Sequence, residues 1–507
     1  MASPDQADQA DQAGLPYVPL EPYDGTGTTG GDALQFNLNI WYQTGDITFV
    51  IFSTALVLLM VPGIGFFYSG LARRKSALSM LTLPLLALAI TSLQWFLIGY
   101  SLTFSPNSSP FLGDFSRGLF ANTLAAPAPA SPRIPDLLFA VYQGMFACVT
   151  VALATGAVAE RGRMLPCVVF MFVWATLVYD PIACWTWNPR GWSNRMGGLD
   201  FAGGTPVHIA SGAAGLAYSM MLGKRRGHGT QELNYKPHNV GYVVVGTVFL
   251  WVGWFGFNAG SAGAGNLRAV MAAVVTNLAA GVGGVTWCLL DWRLEGKWST
   301  VGFCSGVVAG LVAITPGSGF VPAWAALPTA FLGAAFANYG TKLKFLLRID
   351  DALDIFAVHG IGGLVGNICT AFFAADYIAA LDGHTHIEGG WLNHNWIQLP
   401  MQLADSFAGG CYSFVMTCLL LFIMNLIPGL QLRVKEESEI VGIDDAEIGE
   451  FAYDYVELTR EVGNDLAAGE TASMYSEQHS QYPVIGREKT RMPAVDFRTY
   501  GMGSTSN

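Results

Sequence analysis

The stretch L-D-F-A-G-G-T-P-V-H-I-A-S-G-A-A-G at residues 199–215 places His208 in an apolar, small-residue segment long enough to cross a membrane. A second stretch, F-A-V-H-G-I-G-G at residues 356–363, does the same with His359. Both read Val-His with a glycine four residues after the histidine. Ionisable groups inside a bilayer are costly and by default mark a substrate or proton path. The alternative is that each histidine is a satisfied core residue.

Composition indicates a polytopic helical membrane protein. The chain of 507 residues is 52% hydrophobic and only 12% charged, with a mean hydropathy of +0.39. Soluble proteins carry roughly 25% charged residues. The net charge of −11 belongs to the two ends. No basic patch points to nucleic acid.

Hydrophobic runs predict eleven transmembrane helices. They cover residues 48–69, 77–101, 136–159, 164–184, 202–223, 239–259, 267–290, 298–315, 322–341, 353–377 and 400–427. Fourteen Lys and Arg residues lie in one set of alternate loops and five in the other. The positive-inside rule then places the N-terminus outside and the C-terminus in the cytoplasm. Because five is odd, spans six to ten are inverted relative to spans one to five, so the two histidines face each other and span eleven is extra.

The ends and one loop are expected to be accessory. Residues 1–47 form an extracellular arm, and residues 428–507 form a cytoplasmic regulatory tail, largely disordered after about residue 460. Asn107 is a glycosylation candidate in the loop 102–135, where residues 125–132 form an extended linker. The tail holds three phosphorylation candidates, Thr471, Ser473 and Ser476. An inert solvated tail is the alternative.

Several polar and aromatic residues near the first histidine admit two interpretations. Asp200 is either an N-cap that also biases the field, which we favour, or a cation ligand. Trp187 belongs either to an interfacial aromatic belt or to a cation–π site. Phe257 and Ser261 share a helix face, as a gate beside a polar contact or as ordinary packing.

Enzyme chemistry is not expected. No P-loop, G-x-S-x-G, H-E-x-x-H or dinucleotide fingerprint is convincing, and no nucleophile–base constellation is visible. The eight cysteines lie in or beside apolar spans without C-x-x-C spacing, as small buried hydrophobes rather than disulfides or metal ligands. No cofactor or metal is expected.

Four motifs carry a resemblance to a known family. They are V-P-G-I-G-F-F-Y-S-G-L-A-R-R-K at 61–75, D-F-A-G-G-T-x-V-H at 200–208, G-W-F-G-F-N-A-G-S at 253–261 and D-x-x-x-x-H-G-x-G-G at 354–363. With them the chain resembles the ammonium transporter family (Amt/Mep/Rh) over residues 38–460, and fungal ammonium permeases of the twin-His type most closely. The resemblance implies eleven helices in an inverted five-plus-five repeat plus one, assembled as a homotrimer with one pore per subunit.

The resemblance also implies roles for single residues along that pore. Ammonium recruitment falls to Trp187 and Ser261 with the ring of Phe146, the gate to Phe146 and Phe257, and the proton relay to His208 and His359. Three residues are implied to support them, namely Asp200 below the recruitment site, Asp354 as an intramembrane acid before the second histidine, and Gln143 near the gate.

The implied function is electrogenic uptake of ammonium, with methylammonium as an analogue, across the plasma membrane. An ammonium ion loses hydration that an apolar pore cannot replace, so passage as ammonia with a separate proton relay avoids the charge penalty. Membrane lipid and a kinase acting on the tail are the other partners considered. The alternatives are a receptor that senses ammonium with little transport, and a passive ammonia gas channel.

Overall fold

The secondary structure is helical throughout the part of the chain described by the computed structural model, residues 37–129, 131–230 and 236–453. Eleven long helices follow one another in sequence. They are α1 Thr44–Leu71, α2 Arg74–Phe104, α3 Asp136–Val158, α4 Met164–Met196, α5 Gly204–Ile209 continued by Ala210–Leu222, α6 Val240–Gly260, α7 Leu267–Glu295, α8 Thr300–Gly317, α9 Ala326–Gly340, α10 Phe356–Phe373 and α11 Gln398–Leu426.

These helices confirm the eleven predicted spans. Among the described residues, nine are long and apolar enough to cross a membrane by length and composition alone. The other two are α5, which is interrupted and rich in Gly, Ala and Ser, and α9, which has 15 residues. Several helices run past their apolar stretch, since helical hydrogen bonds do not require apolar side chains. In α4 the continuous helix ends at Trp187, just past the predicted end at residue 184. Asn188 is extended, and a separate short helix, Trp192–Met196, follows.

Both histidines lie in π-helical turns at the start of their helices. Gly204–Ile209 contains His208, and Phe356–Ile361 contains His359. A π turn inserts an extra residue into the helical path and is frequent at functional sites. The two halves of the chain therefore carry the same irregularity at corresponding places.

Glycines let the helices of one half approach those of the other. A Cβ added to Gly246 of α6 would lie 2.4 Å from the backbone nitrogen of Phe67 in α1. A Cβ added to Gly212 of α5 would lie 2.3 Å from the nitrogen of Gly360 in α10. Small residues at crossings are typical of tight membrane packing. The pairs α1–α6 and α5–α10 join matching members of the inverted five-plus-five repeat, and α11 lies outside it.

The described first part of the tail, up to residue 453, packs against one end of the bundle, here called the tail face. The Arg163 amide donates a hydrogen bond to the Leu432 carbonyl, and the Val434 amide donates one to the Arg161 carbonyl, both at 3.0 Å. The Asp444 carboxylate then accepts hydrogen bonds at 2.8 Å from two backbone amides in the first turn of helix Ala77–Gln94. Glu447 does the same for Met164, the first residue of α4, at 3.0 Å. Acidic residues of the tail thus satisfy helix N-termini that otherwise lack partners.

The loop between α2 and α3 packs at the opposite face. Its Pro-rich segment was expected to be an extended linker, and Pro127 does pair with Pro135 in an isolated antiparallel bridge. However, Ala125 and Ala126 are buried, and the Ala125 carbonyl accepts a hydrogen bond from the Tyr42 hydroxyl at 2.6 Å. The segment is part of the packed body because its small side chains fit beneath the residues that precede α1.

Six of the eight cysteines are buried, as predicted, and Cys418 is half-buried. Cys411 on α11 is exposed, so the prediction that it is a buried hydrophobe is wrong. It lies on a helix whose exposed side chains, such as Phe407 and Val415, are large and apolar. This outer face of α11 suits lipid rather than core.

Candidate functional site

A vestibule of about 670 Å³ opens at the face opposite the tail. Four of the side chains singled out in the sequence line it, namely Gln143, Trp187, Asp200 and Ser261. Arg268 also lines it, and its guanidinium is paired with Asp382 at 2.9 Å. Since the carboxylate offsets that cation, the vestibule does not carry an unbalanced positive charge from this residue.

Ser261 presents an acceptor to the vestibule. Its hydroxyl donates to the Phe257 carbonyl at 2.8 Å, one turn back along α6. The Tyr142 hydroxyl lies 3.3 Å from the Ser261 Oγ and 2.9 Å from the carbonyl oxygens of Gly256 and Phe257. With its hydrogen committed to a carbonyl, Ser261 keeps lone-pair capacity for a donor such as an N–H group.

Trp187 is held by its indole nitrogen. The Nε1–H donates to the Asp200 carbonyl at 3.0 Å. The indole meets the Phe146 ring edge to face, with centroids 5.9 Å apart and planes at 90°. The hydrogen bond fixes the ring at the bottom of the vestibule, where an aromatic face can attract a cation.

Asp200 acts as the cap of the helix that carries His208. Its Oδ1 accepts from the amides of Gly203 and Gly204 at 2.8 and 2.7 Å, and its Oδ2 accepts from Thr205 at 2.7 Å. The residue is 8% exposed. Because three backbone amides occupy the carboxylate, its geometry is that of a cap; an effect of its charge on a cation stays a prediction.

Two phenylalanines close the bottom of the vestibule. The rings of Phe146 and Phe257 are stacked, with centroids 4.1 Å apart and planes at 22°, and neither residue is exposed. Their helices α3 and α6 belong to different halves of the chain. The pair forms an apolar plug whose removal requires a ring to rotate.

The histidines lie directly behind this plug. The Phe257 and His208 ring centroids are 6.0 Å apart, and the Nδ1 atoms of His208 and His359 are separated by 3.3 Å. A hydrogen bond between two ring nitrogens requires that one carries the proton and the other accepts it. The Nε2 of His208 is buried and has no hydrogen-bond partner among the described residues. The inverted topology thus brings the two residues into contact, as the sequence predicted.

Trp254 completes the aromatic lining and was missed by the sequence reasoning. Its ring stacks on His208 at 5.4 Å and 22°, and its Nε1–H donates to the Thr315 hydroxyl at 2.9 Å. Tyr142 was missed in the same way. Trp254 lies three residues before Phe257, and Tyr142 lies four residues before Phe146, so helical spacing was the available signal for both.

A second cavity, of about 290 Å³, lies on the tail side of the histidines and is lined by His359, Trp254 and Asp354. Asp354 has φ +55° and an ion pair with Lys344 at 2.7 Å, and its side chain is 31% exposed. Asp354, which the resemblance implies to be an intramembrane acid before the second histidine, thus lines the same cavity as His359 and is paired with Lys344.

Gln143 is brought to the vestibule but not into the hydrogen-bond network. The residue is 7% exposed, and its Oε1 has no partner among the described residues. An unpaired buried carbonyl oxygen is costly unless something else contacts it. The side chain is one of the few unsatisfied acceptors near the plug.

Of the predicted modification sites, the structure describes only Asn107. Asn107 is exposed in the loop after α2. Thr471, Ser473 and Ser476 lie outside the described residues, as does most of the arm at 1–47.

Comparisons with known proteins identify relatives of this chain. The profile of the Ammonium Transporter Family matches residues 48–453. Ammonium transporter 1 of Schizosaccharomyces pombe is 59% identical over 437 residues, which cover 86% of this chain and 88% of that protein. Ammonium transporter MEP2 of Saccharomyces cerevisiae is 48% identical, with 85% and 89% covered. The crystal structure of Candida albicans Mep2 superposes with a TM-score of 0.79 at 48% identity, covering 85% of this chain and 94% of that one.

Proposed function

The chain belongs to the ammonium transporter family and is not an enzyme, and from that premise we propose that it mediates electrogenic ammonium uptake. One observation carries the proposal: a hydrogen-bonding pair of buried histidines stands directly behind a stacked pair of phenylalanines. The plug bars hydrated ions, and the histidines offer a route for a proton. Ammonia and the proton would cross by different steps, with net movement of ammonium.

Recruitment takes place in the vestibule. The indole of Trp187 and the hydroxyl of Ser261 replace part of the ion's hydration, together with the ring of Phe146. Cation–π attraction contributes about 2 kcal/mol when a cation is desolvated. Asp200 adds a fixed negative charge below the site without ligating the ion, since its oxygens are occupied by backbone amides.

Passage beyond the plug favours the neutral species. A charged group near the centre of a bilayer costs about 3 kcal/mol or more. Ammonia avoids that cost. It passes the rings of Phe146 and Phe257, and its proton crosses in a separate step. Potassium cannot lose its charge in this way, so the same plug provides selectivity.

The histidine pair carries the proton. The single hydrogen between the two Nδ1 atoms can belong to either ring, and the free Nε2 of His208 faces away from it. A proton arriving at one outer nitrogen and leaving from the other completes the transfer. Asp354, paired with Lys344, lies where the path meets the tail-side cavity and supports release.

The charges of the loops indicate the orientation of the protein in the membrane. We place the tail face in the cytoplasm and the vestibule outside, because the basic loops lie at the tail face. In the plasma membrane, as a homotrimer with one pore per subunit, the chain would take ammonium inward. Glycosylation at Asn107 and kinase action on Thr471, Ser473 or Ser476 belong to the same proposal, as does a role in sensing ammonium.

Current in reconstituted membranes tests the proposal. Proteoliposomes should show ammonium-evoked current and little current with potassium. A membrane potential of 100 mV, negative inside, changes the free energy of uptake by about 2.3 kcal/mol. Electroneutral accumulation with no current would support the gas-channel alternative. Ammonium binding without uptake in cells lacking their own permeases would support the receptor alternative.

A further inference from the structure

The helix outside the repeat holds the segment that carries the recruitment site. Along α11, Gln398 donates to the Gly197 carbonyl at 3.0 Å. The Gln402 carboxamide accepts from the Leu199 amide and donates to the Leu199 carbonyl, both at 2.7 Å. Asp405 comes next on the same helix face, at the i+7 position from Gln398. Three successive contacts run along the chain that leads into Asp200.

Asp405 is a buried carboxylate surrounded by hydroxyl groups. It is 3% exposed. It accepts from the Ser193 hydroxyl at 2.5 Å, from the Thr186 hydroxyl at 3.4 Å, and from the Thr205 hydroxyl in a short contact. Among the described residues no Lys, Arg or His lies within ion-pair distance of it. A buried acid supported by hydroxyl donors alone requires a reason beyond packing.

The hydrogen bonds around Thr205 have a definite direction. Its Oγ1 accepts from the Asn367 amide at 2.8 Å, so its own hydrogen points to Asp405. Its backbone N–H donates to the Asp200 carboxylate at 2.7 Å. Thr205 is therefore fixed from both sides and joins the two acids. The backbone carbonyl of Asp200 in turn accepts the hydrogen bond from the Trp187 indole Nε1–H.

We propose that Asp405 is a positioning residue for the ammonium recruitment site, acting through Thr205 to hold Asp200 and Trp187 in place. This inference rests on the proposed function. It assigns a purpose to α11 that neither half of the repeat supplies. The Asp405 carboxylate does not contact the ion. It affects binding only through the positions of Asp200 and Trp187.

Two substitutions separate geometry from charge. In Asp405→Ala the hydroxyls of Thr205 and Ser193 lose their acceptor, and the Asp200 segment is released. In Asp405→Asn the amide oxygen can accept from Thr205 while the NH₂ group donates to Ser193, so the network persists without the charge. We expect Asp405→Ala to raise the ammonium concentration for half-maximal current roughly tenfold, because hydrogen bonds to charged groups are lost. Asp405→Asn should restore a near wild-type value.

Two matched variants distinguish an effect on positioning from a general loss of folding. Gln402→Leu breaks the neighbouring clamp without touching either acid, and it should also raise the half-maximal concentration. Ser413→Ala removes another buried bond between α11 and α5, from the Ser413 hydroxyl to the Ala210 carbonyl at 2.7 Å. It should leave the half-maximal concentration unchanged. Size exclusion and thermal unfolding in detergent establish the amount of folded protein for each variant.

The outcomes distinguish this inference from the proposed function. If wild-type proteoliposomes carry no ammonium current, the proposed function has failed. If the wild type conducts but folded Asp405→Ala and Gln402→Leu keep the wild-type half-maximal concentration, the positioning role is refuted. It is also refuted if Asp405→Asn is as impaired as Asp405→Ala, because charge rather than geometry would then be responsible.

Discussion

Substitution of Gly212 by alanine should separate the histidine pair without touching either ring. Gly212 faces α10 from α5, and an added Cβ would lie 2.3 Å from the Gly360 nitrogen and 2.6 Å from its Cα. Carbon contacts are comfortable at about 3.5 Å, so the helices must part by roughly 1.2 Å. Moved by that amount, the Nδ1 atoms now 3.3 Å apart would be about 4.5 Å apart, beyond hydrogen-bond distance.

The expected consequence is a loss of current larger than the loss of stability. Overpacking of this kind costs about 1–3 kcal/mol. A displacement of ~1 Å at a reacting pair can reduce a rate roughly a hundredfold. Ammonium-evoked current per folded protein should therefore fall by about tenfold or more in Gly212→Ala. Gly363→Ala, whose nearest contacts are 3.0 Å, should give a smaller loss.

Gly281→Ala is the control, because an added Cβ at Gly281 of α7 meets nothing within 4 Å. It should retain wild-type current. The reasoning would be refuted if folded Gly212→Ala carried wild-type current, since either the helices would have yielded elsewhere or the pair would not relay the proton. Thermal unfolding in detergent and current in proteoliposomes, measured on the same preparations, distinguish these results from misfolding.

Three further predictions address the pore, the vestibule side and the tail. Replacing His208 with Ala should impair the current or weaken discrimination between ammonium and potassium, and unchanged selective current would remove the relay. Hydrogen bonds from the hydroxyls of Ser105 and Ser116 lower the pKa of Asp114 to about 2. Because that lies below the unfolded value of about 3.9, this contribution to stability should be complete above roughly pH 4 and be lost as the pH falls towards 2. Thermal unfolding across that range should show an acid dependence that Asp114→Asn reduces, and an identical dependence in the variant would contradict the assignment. Finally, Asp444→Ala should cost about 1 kcal/mol of helix capping and speed proteolysis of the tail, and unchanged proteolysis would show that the cap does not anchor it.

Most of the architecture was predictable because a helix that crosses a membrane requires a long run of apolar residues, which is visible in the sequence. Runs of apolar residues were enough to predict eleven helices. Loop charge, together with the odd number of helices in each half, was enough to predict that His208 and His359 face each other. The sequence could not indicate the π turns that hold them, since backbone hydrogen-bond register leaves no periodic signal. It also overestimated α10 at its start, where Asp354 leaves the helix with a positive φ.

The site was predictable where motifs were long and not where contacts were distant. Trp187 and Ser261 line the vestibule, and the stacked rings of Phe146 and Phe257 lie next to them, while the roles that the resemblance implies for these residues stay a proposal. Asp405 was overlooked because its partners lie some 200 positions earlier in the chain, on segments that only the folded structure brings to α11. A lone acid in an apolar span is a signal in its own right, in the same way as a lone histidine.

The π turns also set the direction in which each histidine ring points. One residue removed from such a turn restores an ordinary helix and rotates everything beyond it by about 100°. Either histidine would then point away from the other. The same irregularity occurs in both halves, within Gly204–Ile209 and Phe356–Ile361. The extra residue in each turn therefore sets the direction in which each ring points, and loss of either one would separate the pair although both histidines remained.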